Sequence, residues 1–195
     1  MRVVPIVEGK GDVEAVPLLL RRVFHEYLVQ TGIEVLRSIR VPKTKLLKAG
    51  ELERTVELAA RQTQDGDAVL ILIDADDDCP AQLAPRLLSR AQARRPDRAM
   101  RVVLANREYE AWFIAAAESI GGHRYLLPDL TAPDDPEAIR DAKGWLTYHS
   151  RGGRVYRETL DQPALTQVFD LERARRSPSF NKLCRDLASL VPFRG

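Results

Sequence analysis

The run Ala68–Ile73, with the sequence AVLILI, constrains the fold more than any other stretch of the chain. It follows the turn signal Asp65-Gly66-Asp67, so its six apolar residues predict a strand that is covered on both faces. Strands of this kind occupy the centre of parallel sheets, which are buried between two layers of helices. The chain therefore needs helical segments on both sides of this strand.

Further short apolar runs alternate with helical patterns along the first part of the chain. They predict strands at Arg2–Val7, Glu34–Val41 and Met100–Ala105. Helical spacing of apolar residues fills the segments between the strands and resumes from about Glu108 to Ala117. This alternation predicts an α/β domain with a mostly parallel four-stranded sheet, flanking helices and right-handed crossovers.

The character of the chain changes after Gly121-Gly122. Residues 128–136 are rich in proline and aspartate and indicate a loop, and only short helical patterns follow. Asp161 and Ser177 are predicted helix N-caps, each with a proline two residues or one residue later. We therefore expect an α/β domain over residues 1–120 and a helical C-terminal extension over residues 121–195.

Composition excludes several classes of protein. No stretch approaches the roughly 20 apolar residues that span a bilayer, so no membrane partner is expected. The N-terminus lacks the pattern of a signal peptide, and we expect a cytoplasmic protein. The two cysteines, Cys79 and Cys184, fit no metal-binding spacing.

Acidic residues follow three of the four predicted strands. In an open parallel sheet, ligands lie at the carboxyl ends of the strands, so these acids should converge there. Closely packed carboxylates need a neutralising cation, and oxygen ligands favour Mg²⁺ or Mn²⁺. The candidate metal ligands are Glu8, Asp12, Asp74, Asp76, Asp78, Glu108 and Glu110. Of these, Glu8, Asp74 and Asp76 are also the candidate catalytic residues, and which of Glu108 and Glu110 faces the site stays open.

Each acid taken alone has a simpler explanation as a helix cap or a solvated turn. The joint placement at several strand ends favours a metal site over that explanation. The scattered histidines, and the absence of a serine or cysteine in a nucleophile-elbow context, give no support for covalent catalysis.

The segment Val7–Asp12, VEGKGD, has two glycines and a lysine after a strand, a composition that suggests a phosphate-binding loop. A Walker A loop would need a serine or threonine after Lys10, and a dinucleotide fingerprint would need a third glycine. We instead expect the glycines to permit a sharp turn that lets Glu8 and Asp12 face the acids of the third strand, with Lys10 reaching a phosphate.

Basic residues cluster although the formal net charge is only +2. From Arg37 to Lys48 there are five basic residues and no acid. Such stretches suit a polyanionic partner, although each could equally be a solvated face. The candidate nucleic-acid contacts are Lys10, Arg37, Arg40, Lys43, Lys45, Lys48, Arg175 and Arg176.

Glu8-Gly9 after the first strand and Asp74-x-Asp76 after the third resemble the Toprim domain of topoisomerases, primases and OLD-type nucleases. This resemblance covers roughly residues 1–118. The wider pattern resembles an uncharacterised bacterial family, a domain of unknown function placed among Toprim-like proteins. Its marks are Val7-Glu8-Gly9, Asp74-x-Asp76, Asn106–Phe113, Tyr156, Asp161-Gln162, Asp170, Ala174-Arg175 and Ser177–Phe180.

The resemblance implies a Toprim-like, Rossmann-like fold. It also implies that Glu8 is an acid/base or metal-binding residue, that Asp74 and Asp76 bind metal, and that Asp12 and a later glutamate add ligands. A partner ATPase of the ABC or AAA type, encoded nearby in defence-like loci, is implied as well. The chain carries neither a topoisomerase tyrosine domain nor a primase zinc module, which favours nuclease chemistry within the group.

The expected function is therefore a Mg²⁺-dependent (or Mn²⁺-dependent) phosphodiester-cleaving nuclease, an effector in a bacterial defence-like system. The alternative is a catalytically silent sensor or partner subunit that docks on the neighbouring ATPase. A receiver-like phosphorylation switch would need a lysine after a later strand, which we do not find. Whether the substrate is DNA or RNA, and whether the protein forms a homodimer, stays open.

Overall fold

The computed structural model of the chain describes residues 1–191. Its five strands are β1 (Arg2–Val7), β2 (Glu34–Val35), β3 (Ile39–Arg40), β4 (Ala68–Asp74) and β5 (Ala99–Ala105). The sheet order is β2-β1-β4-β5, with β3 also paired to β1, and these pairings are parallel. The predicted α/β class and mostly parallel sheet are confirmed.

The predicted strand Glu34–Val41 forms two short strands instead of one. Arg2 is opposite Glu34, an offset of 32 residues, whereas Ile6 is opposite Ile39, an offset of 33. One extra residue therefore lies between the two pairings, as in a β-bulge, and it interrupts the ladder. This explains why a four-stranded prediction became a five-stranded sheet.

Ten α-helices flank the sheet within the described residues. They are α1 (Asp12–Arg22), α2 (Lys43–Leu46), α3 (Glu51–Ala60), α4 (Pro80–Arg94), α5 (Ala111–Ala115), α6 (Ala117–Ile120), α7 (Ala142–Tyr148), α8 (Glu158–Thr166), α9 (Leu171–Ala174) and α10 (Pro178–Ala188). A π-helical turn extends α1 over Val23–Tyr27, and short 3₁₀ helices lie at Pro136–Ala138 and Arg151–Gly153. None of the helices in residues 1–191 is long and apolar enough to cross a membrane.

The sheet separates two hydrophobic clusters. Residues of β4 point alternately to each side, and Ala68–Ile73 are all buried, as the AVLILI run predicts. One cluster packs the sheet against α3 and α4. The other packs it against α1, α5 and the C-terminal helices.

Aromatic side chains join the C-terminal helices to this second cluster. The ring centroids of Trp112 and Phe180 are 5.3 Å apart, and those of Phe113 and Phe169 are 5.4 Å apart. Both pairs have the edge-to-face geometry that aromatic rings favour. Residues on both sides of position 120 therefore share one core, and the domain boundary at that position stays a prediction.

The two predicted N-caps have different outcomes. The hydroxyl of Ser177 accepts a hydrogen bond from the amide of Phe180 at 3.2 Å, so the predicted cap of α10 is confirmed. The predicted cap at Asp161 is wrong, because α8 begins at Glu158 and contains Asp161. The Asp161 carboxylate instead accepts from the amide of Arg157 and forms an ion pair with Arg124.

Candidate functional site

The parallel pairing of β1 with β4 brings Glu8 and Asp74 to the same edge of the sheet. Val7 is opposite Leu72, so Glu8 follows β1 where β4 reaches its final residues. Asp74 is the last residue of β4. The two acids therefore lie at the ends of neighbouring strands.

Glu8 and Asp74 are both poorly compensated carboxylates. Burial raises the pKa of Glu8 to about 7, and the charges of Asp76 and Asp12 add to the shift. Its Oε2 atom is buried and has no hydrogen-bond partner. Burial and then the charge of Glu110 raise the pKa of Asp74 well above its usual range. One Asp74 oxygen accepts a hydrogen bond from the amide of Tyr109 at 2.8 Å.

Asp12 is the third acid of this group. One of its oxygens accepts a hydrogen bond from the amide of Gly9 at 2.9 Å, which closes the turn between β1 and α1. The other accepts from the side-chain amide of Gln162 at 2.7 Å, across 150 residues of sequence. Asp12 is buried, so helix α8, which carries Gln162, completes its surroundings.

Gly11 of the VEGKGD segment is needed because α8 approaches the backbone closely, whereas a Cβ atom on Gly9 would first meet Asp12 Oδ2, at 2.9 Å. A Cβ atom on Gly11 would lie 2.0 Å from Oε1 of Gln162 and 2.7 Å from the carbonyl oxygen of Glu158. Gly9 and Gly11 are not among the glycines with positive φ. The turn is therefore one that other residues could adopt, and packing against α8 is what requires glycine.

The acids that follow Asp74 are exposed and paired with basic side chains. Lys43 Nζ lies 2.8 Å from Asp76 Oδ2 and 3.1 Å from Asp78 Oδ2. Lys43 also donates to the carbonyl oxygen of Ala75 at 2.6 Å and is buried. Asp77, which was not a candidate ligand, pairs with two arginines, Arg107 and Arg140.

Glu108 and Glu110 are paired with one lysine on α7. Lys143 Nζ lies 3.1 Å from an oxygen of each glutamate. The other oxygen of Glu108 accepts a hydrogen bond from the amide of Ala142 at 2.9 Å, at the start of α7. Glu110 is fully buried, and burial raises its pKa to about 7 although the positive charge of Lys143 lowers it.

The acids at this edge of the sheet therefore fall into two classes. Asp76, Asp77, Asp78, Glu108 and Glu110 each have an ion pair. Among the described residues, Glu8, Asp12 and Asp74 have none. We call this group of three acids at the sheet edge the carboxylate crevice. Because none of the three has an ion pair, burial and mutual repulsion disfavour their ionised forms, as the raised pKa values of Glu8 and Asp74 show.

The buried side-chain atoms that lack a hydrogen-bond partner lie around the same crevice. Within the described residues they are Glu8 Oε2, both carboxylate oxygens of Glu110, the hydroxyl of Tyr156 and Gln162 Oε1. Buried polar atoms are normally satisfied, so this concentration marks the region as a candidate site. The Glu110 oxygens are included although Lys143 Nζ provides an ion pair at 3.1 Å, because that contact does not have hydrogen-bond geometry. However, no three His, Cys, Asp or Glu side chains in residues 1–191 are already arranged as ligands around one point.

The predicted nucleic-acid contacts are dispersed. Arg40 donates to the carbonyl oxygen of Glu8 at 3.2 Å, and exposed Lys10 belongs to the adjoining turn, so both lie beside the crevice. Arg37, Lys45 and Lys48 are exposed on the segment after β2, where Lys45 also pairs with Glu51 at 3.5 Å.

The remaining predicted contacts have partners within the protein. Lys43 is buried against Asp76 and Asp78, as described above. Arg175 pairs with Glu172 and donates to Asn181, and Arg176 pairs with Glu118. The structure thus brings Lys10 and Arg40 to the crevice, whereas Lys43, Arg175 and Arg176 contact other residues of the protein.

Several residues around the crevice had no predicted role. They are Lys143, Tyr109, Tyr156 and Gln162. Tyr109, Tyr156 and Gln162 belong to the segments that carry the family resemblance, which was the signal that could have pointed to them. Lys143 carried no signal, because its partners lie more than 30 residues away in sequence.

Together these features define an α/β protein with a carboxylate crevice at the carboxyl edge of a parallel sheet. The chain belongs to the family described as Domain of unknown function (DUF4276), whose model matches residues 7–188. Membership of a family of unknown function is thereby confirmed, whereas the relation to Toprim proteins and the ATPase neighbour stay predictions. No curated protein and no solved structure matches the chain.

Proposed function

We propose that the protein is a nuclease that hydrolyses phosphodiester bonds with Mg²⁺ or Mn²⁺ bound in the carboxylate crevice. The observation that supports this most is the contrast in pairing. Glu8, Asp12 and Asp74 lack a cation, whereas the neighbouring acids are paired. The resemblance of Glu8-Gly9 and Asp74-x-Asp76 to Toprim nucleases supports the choice of reaction.

The donor atoms suit a hard divalent cation. They are carboxylate oxygens, which Mg²⁺ and Mn²⁺ prefer, and one of them, Glu8 Oε2, is buried without a partner. Glu8, Asp12 and Asp74 would hold the ion. Because these acids are not yet arranged around one point, we expect the Glu8 side chain, whose Oε2 has no partner, to rotate on binding while Asp12 and Asp74 keep their orientation.

The bound ion would polarise the phosphodiester and lower the pKa of a water molecule. The protein's own residues would position the reactants. The hydrogen bonds from Gly9 and Gln162 fix the orientation of Asp12, and the amide of Tyr109 fixes that of Asp74. A glutamate with a pKa of about 7, as Glu8 has, is also suited to accept a proton from water near neutral pH.

Lys10 and Arg40 would bind the backbone of the nucleic acid. Arg40 contacts the main chain of Glu8 and is exposed, so a phosphate held there would lie next to the crevice. Such contacts carry no sequence specificity, and binding should weaken as salt concentration rises.

Cleavage of labelled DNA, plasmid and tRNA with Mg²⁺ or Mn²⁺ tests the proposal. The wild type should cut at least one substrate, and Asp74→Asn should reduce the rate by at least about 100-fold. The exposed acid Asp129 provides a matched control, because Asp129→Asn removes the same charge away from the sheet edge. Absence of cleavage by the wild type both with and without the ATPase encoded beside it, or equal rates for all three proteins, would refute the proposal.

Glu8→Gln separates the two roles open to Glu8. If Glu8 binds the ion, the substitution weakens Mn²⁺ binding together with cleavage. If Glu8 accepts the proton, Mn²⁺ affinity is kept and only cleavage is lost. Mn²⁺ affinity measured by calorimetry, beside the cleavage rate, distinguishes them.

A second candidate is a catalytically silent subunit of a complex with an ABC- or AAA-type ATPase. The absence of three preformed ligands in residues 1–191 favours it. In either case the proposal includes a cytoplasmic role in a defence-like system. Cleavage that appears only when the neighbouring ATPase is added would support the complex with an active nuclease, and no cleavage in either condition would support the silent subunit.

A further inference from the structure

We propose that Lys143 occupies the position a second divalent ion would take, so that the carboxylate crevice binds one divalent cation per chain. This inference rests on the proposed function, since it concerns the number of ions that the same site holds. It assigns Lys143, Glu108 and Glu110 to an internal ion cluster and excludes both glutamates as metal ligands.

The first support is the position of the Lys143 ammonium. It lies 3.1 Å from Glu108 Oε1 and 3.1 Å from Glu110 Oε2, so one positive charge serves two carboxylates. The second oxygen of Glu108 is held by the amides of Ala142 and Lys143 at 2.9 and 3.3 Å. Glu108 is therefore fixed on the start of α7, and turning it toward an ion would break these bonds.

The second support is the burial of Glu110. Its side chain is only 1% exposed, and a buried carboxylate with no cation would be strongly disfavoured. Lys143 supplies that positive charge from within the chain. In sites that bind two metals, a divalent ion supplies it instead. A metal at the same place would have to displace the ammonium against the attraction of Glu108, Glu110 and Asp74.

The acids on the other side of the crevice are also neutralised by a lysine. The buried ammonium of Lys43 lies between Asp76 and Asp78, with a further bond to the carbonyl oxygen of Ala75. Two lysines thus neutralise the outer acids on both sides. Among the acids of this edge, Glu8, Asp12 and Asp74 are left without an ion pair, and one divalent ion would supply the cation that they lack.

Counting bound Mn²⁺ tests the inference independently of catalysis. Electron paramagnetic resonance of free Mn²⁺, titrated into metal-free protein, should give one bound ion per wild-type chain. Lys143→Met, which keeps an unbranched side chain one atom shorter and removes its charge, should bind a second ion. Lys182→Met is the matched control, because Lys182 is also ion-paired, with Asp186, and should leave the count at one.

Two bound ions in the wild type, or an unchanged count in Lys143→Met, would overturn the inference while leaving the proposed function intact. No bound ion in the wild type would instead refute the proposed function. Circular dichroism and thermal melting establish that each variant is folded before the titration.

Glu110→Gln keeps the inference testable if Lys143→Met does not fold. Because Glu110 is not assigned as a ligand, this variant should keep one Mn²⁺ with an affinity changed by less than about tenfold. Loss of the bound ion in Glu110→Gln would place Glu110 at the metal and contradict the inference.

Discussion

Replacing Gly11 with alanine sets two effects against each other, and the structure decides between them. Gly11 has φ −67° and ψ −36°, which alanine adopts readily. On its own, the smaller freedom of the unfolded chain would stabilise the variant by about 0.4–1 kcal/mol. Against this, the new methyl group would lie 2.0 Å from Gln162 Oε1 and 2.7 Å from the carbonyl oxygen of Glu158.

The steric effect should win. Overpacking costs about 1–3 kcal/mol when backbone must shift, and here the nearest backbone atom belongs to α8. Moving Gln162 away would also break its hydrogen bond to buried Asp12, and bonds to charged groups contribute about 1.5–3 kcal/mol. After the entropic gain is subtracted, Gly11→Ala should lower the free energy of unfolding by about 2–5 kcal/mol. The Tm should fall by at least about 4 °C.

Urea unfolding followed by circular dichroism measures this change. Lys10 lies next to Gly11 and is exposed, so Lys10→Ala is the control and should stay within about 0.5 kcal/mol of the wild type. If Gly11→Ala were as stable as the wild type, or more stable, α8 would not pack against this turn. The contact between Gln162 and Asp12 would then be refuted as well.

Three further substitutions test other parts of the structure. Glu137→Ala removes an acceptor used by Asn106 and by the backbone of α10, and should cost about 3 kcal/mol in urea unfolding; a change below about 1 kcal/mol would contradict this network. Gln162→Leu should weaken Mn²⁺ binding about tenfold by releasing Asp12, and unchanged affinity in calorimetry would refute that positioning role. For Glu118, burial opposes ionisation, but hydrogen bonding to Arg176 outweighs it and lowers the pKa from 4.5 to about 2. Its contribution to stability is therefore present above about pH 4.5 and is lost toward pH 2. The deficit of Glu118→Gln, under about 1 kcal/mol at pH 7, should shrink over that range in thermal melts, and a deficit independent of pH would contradict the ionised pair.

The parts of the fold that follow from local patterns were predictable from sequence. The AVLILI run identified β4, because a strand buried on both faces must be apolar throughout. The rule that parallel strands end at one edge then placed Glu8 near Asp74. The division of the second strand was not predictable, because a bulge changes the register without changing the alternating pattern of Glu34–Val41.

The partners of the acids could not be predicted because they are distant in sequence. Gln162 meets Asp12 across 150 residues, and no local pattern encodes that contact. The same holds for Lys143, which converts the predicted ligands Glu108 and Glu110 into members of an ion pair cluster. A count of acids at strand ends therefore indicates where charge collects, but the folded chain determines which acids remain without a cation.

Anomalous scattering from crystals soaked in MnCl₂ tests the metal site itself, because it locates manganese without reference to activity. We expect a single strong anomalous peak in the carboxylate crevice, in contact with carboxylate oxygens of Glu8 and Asp74. This peak should be absent from crystals of Asp74→Asn. A crevice without manganese in the wild type, or manganese bound between Glu108 and Glu110 in place of the Lys143 ammonium, would contradict the proposed site.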